Sequence, residues 1–143
     1  MRIDSKGLDF IKSFEGFRSN KYVCPGGYAT IGYGHLVRAD NPLNEISQQE
    51  AEELLIQDVT LAEAAIVRLI YIPLNHGQHT ALTSFVFNLG AGTLQRSCLR
   101  RLINRGDHDD VRSELMRWVW AGGRKLSGLV RRRQAEGRLY DSQ

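Results

Sequence analysis

The stretch Glu15-Gly16-Phe17-Arg18-Ser19-Asn20-Lys21-Tyr22-Val23-Cys24-Pro25-Gly26-Gly27-Tyr28-Ala29-Thr30-Ile31-Gly32-Tyr33-Gly34-His35 decides how this chain is read. It holds five glycines and one proline in 21 residues. Glycines that dense suit backbone held against something large and flat. Among the breakers stand strand formers, Tyr22, Val23, Tyr28, Thr30, Ile31 and Tyr33, so the segment predicts short hairpins with tight turns. Residues 17–46 are read as a small β lobe that must pack on helices to be stable. Glu15, Cys24 and Thr30 are its tightest polar constellation, with Tyr22, Tyr33 and His35 interleaved.

Upstream, Leu8, Ile11 and Phe14 recur at helical spacing, which predicts a helix over Ser5–Phe14 ended by Gly16. Glu15 follows Ile11 by four and Leu8 by seven, so it shares their inward face at the last turn. Downstream, Ser47 and Glu50 have capping-box spacing and open a helix of about 20 residues, roughly 30 Å, long enough to join two lobes. Thr80–Leu89 is apolar nearly all round and predicts a buried central helix. Further helices are expected over Leu94–Leu102, Val111–Ala121 and Gly128–Leu139. The expected fold is α+β, mainly α, in one domain of residues 1–143. A small β-hairpin lobe (17–46) joins through a long helix to a larger helical lobe (1–16 and 47–143), with a cleft between them.

Composition narrows the function. The chain has 19 Lys/Arg and 16 Asp/Glu, a formal charge of +3. Residues 94–143 hold 12 basic against 6 acidic residues, while residues 47–93 hold 1 against 5. The C-terminal third therefore presents a cationic surface suited to an anionic polymer, nucleic acid or acidic membrane. No apolar run is long enough to span a membrane, and no stable membrane insertion is expected. Met1–Phe17 lacks the uninterrupted apolar core of a signal peptide, so residence in a cytoplasm is expected. Two cysteines, Cys24 and Cys98, allow at most one bridge. There is no phosphate-binding glycine loop, C-x-x-C, H-E-x-x-H or nucleophile elbow. His76 and His79 lack regularly spaced acidic or cysteine partners, so neither a metal nor any other cofactor is expected. Trp118 and Trp120 are read as core residues.

On the residues alone, Glu15 is either a functional acid or the structural ion-pair partner of the Arg-rich final helix. Cys24 reads as a small buried residue and Thr30 as an ordinary strand former. The segment Glu15–His35 resembles the active-site signature of the phage-type lysozymes, glycoside hydrolase family 24. There, a glutamate is followed after eight residues by an aspartate or sometimes a cysteine, and after five more by a threonine. Glu15, Cys24 and Thr30 stand at those spacings, and Thr30-Ile31-Gly32-Tyr33-Gly34-His35 repeats the family's T-x-G-Y-G-H. Phe85–Gly92 resembles its central F-N-x-G segment, and Trp118 through Glu136 its C-terminal block.

The resemblance implies cleavage of the β-1,4 bond between N-acetylmuramic acid and N-acetylglucosamine in bacterial peptidoglycan. Glu15 is then the acid that protonates the leaving oxygen. Burial favours the protonated form it needs, while one of Arg131, Arg132 and Arg133 favours the charged form. Cys24 stands where most of the family has aspartate. Either it positions or activates a water with Thr30, giving the inversion the resemblance implies, or its thiolate attacks the anomeric carbon and the product is retained. The water route is preferred. Phe87 and Asn88 resemble the family's cleft-lining pair, and Tyr22, Tyr33 and His35 are candidates for the β-lobe wall. The resemblance further implies an endolysin of a phage or prophage. Such a protein waits in the host cytoplasm, is released through a separate holin-type pore, and reaches the periplasm or wall at lysis. A monomer is expected.

Three rival readings follow from the same residues. A disabled site would leave a protein that holds peptidoglycan without cutting it. A lytic transglycosylase would form an anhydro sugar. A nucleic-acid binder would use Arg131–Arg133, but no base-reading motif accompanies them, and no nucleic-acid partner is expected. A Cys24–Cys98 bridge would block the site.

Overall fold

Asp4 starts the first helix, because its side chain accepts the Gly7 N–H at 2.8 Å. The computed structural model describes residues 1–24, 26–40 and 42–142; Pro25, read above as a breaker, lies outside them. Helix α1 (Ser5–Glu15) ends at Gly16, whose φ of 64° suits glycine. A three-stranded antiparallel sheet follows, β1 (Arg18–Val23), β2 (Ala29–Gly32) and β3 (His35–Leu36). Its register pairs Tyr22 with Thr30 and Thr30 with Leu36. Helix α2 (Gln48–Leu69) begins with the full Ser47–Glu50 capping box. Its 22 residues reach about 33 Å.

The remaining helices are α3 (His76–Leu89), α4 (Ala91–Arg96), α5 (Cys98–Asn104), α6 (Val111–Leu115) and α7 (Ser127–Tyr140). Three differ from the sequence-based expectation. Helix α3 starts four residues early, because Asn75 and Gln78 form a second capping box. The helix expected over Leu94–Leu102 is two helices. Ser97 adopts extended backbone between them, and its hydroxyl accepts the Arg100 N–H to cap α5. The helix expected to reach Ala121 stops at Leu115. Trp120–Ala121 and Arg124–Lys125 instead form a hairpin, β4–β5, turned by Gly122 and Gly123, both at positive φ. That hairpin leaves Trp120 61% exposed, so it is not a core residue. Trp118 is: its ring meets Phe85 edge-on at 5.9 Å.

Two apolar clusters hold the chain together. The smaller joins Ile11 of α1, Ile31 and Tyr33 of the β lobe, Ile46, and Ala51, Leu55 and Val59 of α2. The larger runs from Ala62 in α2 through Leu82 and Phe85 to Tyr140. Thus α2 feeds one cluster with its first half and the other with its second. Phe87 packs against both and lies at their junction. Leu82 and Phe85 are wholly buried, which stabilises by about 1.5–3 kcal/mol each. No described helix is long and apolar enough to cross a membrane.

One buried polar cluster ties the N-terminus to this frame. Glu63 accepts the Ile3 N–H at 2.7 Å and lies 3.6 Å from the His79 imidazole. Burial pushes His79 below its ordinary value of 6.5; the Glu63 charge opposes this, while the N-terminal amine and His76 add to it. The folded protein therefore binds fewer protons here than the unfolded chain, and stability must fall as pH drops through and below about 6.5. Thermal melts at about pH 7.5 and about pH 5.5 should show a smaller loss for His79→Gln than for the parent. Equal losses would remove His79 from this account.

Candidate active site

Glu15 is the last residue of α1, and its side chain is 15% exposed. Arg132 of α7 donates from Nη1 to Glu15 Oε2 at 2.5 Å. Arg132 is itself held by α3: Nε donates to Ser84 Oγ at 3.2 Å and Nη2 to the Ser84 carbonyl at 3.3 Å. Glu136, one turn along α7, accepts from the Ser84 hydroxyl at 2.6 Å and from Arg133 Nη2 at 3.0 Å. Arg133 Nη2 also donates to Asn88 Oδ1 at 2.8 Å. A continuous chain of charges and hydrogen bonds thus runs from Glu15 to Asn88. Burial pushes the Arg133 guanidinium down and the Glu136 carboxyl up, and the ion pair between them opposes both shifts.

Glu15 also rests against the β lobe. The turn between β2 and β3 brings Gly34 so close that a Cβ there would lie 2.5 Å from Glu15 Oε1, and Gly34 has φ +77°. Glycine is needed for both reasons. Replacing it with alanine forces the carboxylate aside and adds about 1–2 kcal/mol of backbone strain. Gly34→Ala should lower kcat about 100-fold, since a displacement near 1 Å is enough for that. Steady-state kinetics on solubilised substrate would read it. Activity near the parent level would show that the Gly34 contact does not fix Glu15.

Cys24 follows β1 and opens a tight turn, its N–H donating to the Tyr28 carbonyl at 2.9 Å and its carbonyl accepting from Gly27 at 2.8 Å. Burial pushes its thiol up. Hydrogen bonds from the Tyr28 backbone, the Thr30 hydroxyl and the Gly26 and Gly27 backbones pull it down by more, leaving a thiol more acidic than the ordinary value of 9.0. Thr30 is 2% exposed, and its hydroxyl also lies 2.9 Å from the Tyr28 carbonyl. Tyr22, opposite Thr30 in the sheet, has its phenol pushed up by burial and by the charge of Glu15, with Arg18 opposing. It therefore stays a neutral donor. Cys24 and Cys98 are both free thiols.

Tyr22 links the parts, within reach of the charges of both Glu15 and Cys24 and paired with Thr30 in the sheet, and Asn88 joins Glu15 through the buried network. Tyr33 and His35 stand behind them. Tyr33 is 6% exposed, its ring inside the smaller cluster and its hydroxyl accepting from Gln48 at 3.2 Å. His35 Nδ1 lies 2.7 Å from Asp58 Oδ2, tethering β3 to α2. Phe87 spans the two clusters. For Asn88, the Arg133 contact occupies the oxygen, which leaves the Nδ2 donors free. Of the three arginines expected to compete for Glu15, Arg132 is the one that meets it, whereas Ser84, Glu136 and Asp58 are not singled out by the sequence. The i,i+4 and i,i+3 spacing of Arg132 and Arg133 to Glu136 was the available signal. Among the described residues no cluster of side chains could hold a metal ion.

A family model described as Phage lysozyme matches residues 12–136. An endolysin of Acyrthosiphon pisum secondary endosymbiont phage 1 is 38% identical over 146 residues, covering 99% of each chain. An endolysin of Bacillus phage B103 is 37% identical over 142 residues, covering 98% of this chain and 54% of its own length. The chain therefore spans about half of one curated relative and nearly all of the other. Among solved structures, the muramidase domain of SpmX from Asticaccaulis excentricus superposes with a TM-score of 0.87 at 32% identity, covering 99% of both chains.

Proposed function

The chain belongs to the phage lysozyme family, and from that membership we propose that it hydrolyses peptidoglycan at the β-1,4 bond between N-acetylmuramic acid and N-acetylglucosamine. The observation that carries this reading is the Glu15 carboxyl, fixed by Arg132 and Gly34 beside the Cys24–Thr30 turn. In its protonated form Glu15 gives its proton to the glycosidic oxygen as the bond breaks. Cys24 and Thr30 hold the water that adds to the anomeric carbon, and a Cys24 thiolate takes the proton that water loses. Asn88, its oxygen held by Arg133, offers its amide donors to an N-acetyl carbonyl. Tyr22 shapes the β-lobe wall in front; Tyr33 and His35 support that wall from behind, and Phe87 supports the junction. The biological role we assign is that of a monomeric endolysin of a phage or prophage. It is held in the host cytoplasm and reaches the wall through a separate pore.

The increased acidity of the Cys24 thiol favours a second reading, attack on the anomeric carbon by the thiolate. Cys24→Ser separates the two. With water as nucleophile, the variant loses about 10²–10⁴-fold but stays above background, and fresh product from the parent has inverted configuration by NMR. A retained anomer from the parent, with a dead variant, would make the cysteine the nucleophile.

A further inference from the structure

Away from this site, the helical lobe carries a concavity of about 440 Å³ between the chain leaving α2 and helices α4 and α5. Tyr71, Arg96, Arg100, Arg101, Asn104 and Arg105 line it, and its wall holds no carboxylate. Arg100 is anchored at the centre by neutral acceptors alone. Its Nε donates to the Leu69 carbonyl at 2.9 Å, Nη1 to the Gln95 carbonyl at 3.3 Å, and Nη2 to the Tyr71 hydroxyl at 2.6 Å. Two of the five guanidinium N–H groups stay uncommitted. Asn104 braces the floor, donating to the Leu69 carbonyl at 3.0 Å and accepting the Tyr71 N–H at 2.8 Å. Arg105 meets Asp107 at 3.0 Å. Among the described residues, Arg96, Arg100 and Arg101 form no ion pair with any carboxylate. Arg132 and Arg133 differ, each being held by glutamate.

Several guanidiniums around one open concavity give it a positive potential that an anionic ligand would neutralise. The compensating ligand has to present several anionic oxygens in different directions. A tetrahedral phosphate does so, and guanidinium forks match its edges. The Tyr71 hydroxyl accepts from Arg100 and so still has its own proton to donate. We propose that this pocket binds a phosphate group, carried either by a lipid headgroup or by a soluble or wall-borne phosphate. The proposal is independent of the chemistry at Glu15.

Titrating the full chain with inorganic phosphate at constant ionic strength, while following backbone amide resonances, tests it. Saturable shifts confined to Tyr71 and residues 95–105 are expected. Arg96→Gln combined with Arg101→Gln should weaken binding about tenfold or more, because both side chains are exposed and act on the ligand rather than the core. That double variant should keep the parent's melting temperature and its rate on solubilised wall fragments. Non-saturating shifts that also appear at Arg131 and Arg138, or an unchanged Kd in the double variant, would overturn the proposal. Flotation with phosphatidylglycerol/phosphatidylcholine vesicles identifies the source. Flotation that phosphate displaces assigns a lipid headgroup, whereas phosphate binding without flotation assigns a soluble or wall-borne group. Loss of wall cleavage with intact phosphate binding would count against the cleft reading alone.

Discussion

Glu15→Gln lowers kcat on purified peptidoglycan by about 1000-fold or more and leaves the melting temperature within a few degrees of the parent. On the proposed reading, the rate loss follows from removing the proton donor assigned to the leaving oxygen, since positioned acid–base groups contribute about 10²–10⁴-fold. The small stability effect follows from geometry. Glutamine keeps an oxygen that can accept from Arg132 Nη1, and Arg132 retains both of its Ser84 contacts and its approach to Glu136. Arg132 also keeps a charged partner, since Glu136 lies 3.5 Å from its Nε. Turnover together with thermal melting checks this. A dead variant that has also lost its fold would leave Glu15 a structural ion-pair partner, the other reading its position allows.

Glu136→Gln has the opposite signature, a large stability loss. Glu136 and Arg133 are both wholly buried, with Oε1 2.7 Å from Arg133 Nε. Neutralising the carboxyl leaves the Arg133 charge in the interior without its partner, which costs about 3–5 kcal/mol. For a domain of this size the melting temperature should fall by about 10 °C or more. Activity should fall as well, because Glu136 orients Ser84 and Arg133, and through them Arg132 and Asn88. Calorimetry reads the first effect, and KM against kcat the second. A shift below about 3 °C would mean that the network tolerates a neutral side chain, and that Asn88 is positioned by something else.

Much of this arrangement is legible in the sequence because its determinants are local. The Ser47–Glu50 box, Gly16 as a helix stop and the alternation around Thr30 all act within a few residues. The errors arise where distant packing decides. The sequence expects one of Arg131, Arg132 and Arg133 beside Glu15 without saying which, and counts all three in a cationic surface. Yet Arg131 is exposed while Arg132 and Arg133 are buried, because Ser84 and Glu136 receive them. Nothing local reports that Ser84, 48 residues from Arg132, lies within hydrogen-bond reach. Trp118 fits a helical stripe and Trp120 is read as core with it, but the Gly122-Gly123 turn reverses the chain and puts Trp120 on an exposed hairpin. Gly34 shows the reverse case. Its place in T-x-G-Y-G-H is plain in the sequence, and its contact with the Glu15 carboxyl gives a physical reason for it.

The central claim is that the Glu15 site adds water across a glycosidic bond of the wall. Mass spectrometry of the fragments released from purified peptidoglycan tests it most directly. The account predicts soluble fragments ending in a reducing N-acetylmuramic acid, with one water gained per bond cut and none released by Glu15→Gln. Fragments one water lighter, ending in an anhydro sugar, or binding without release, would contradict it.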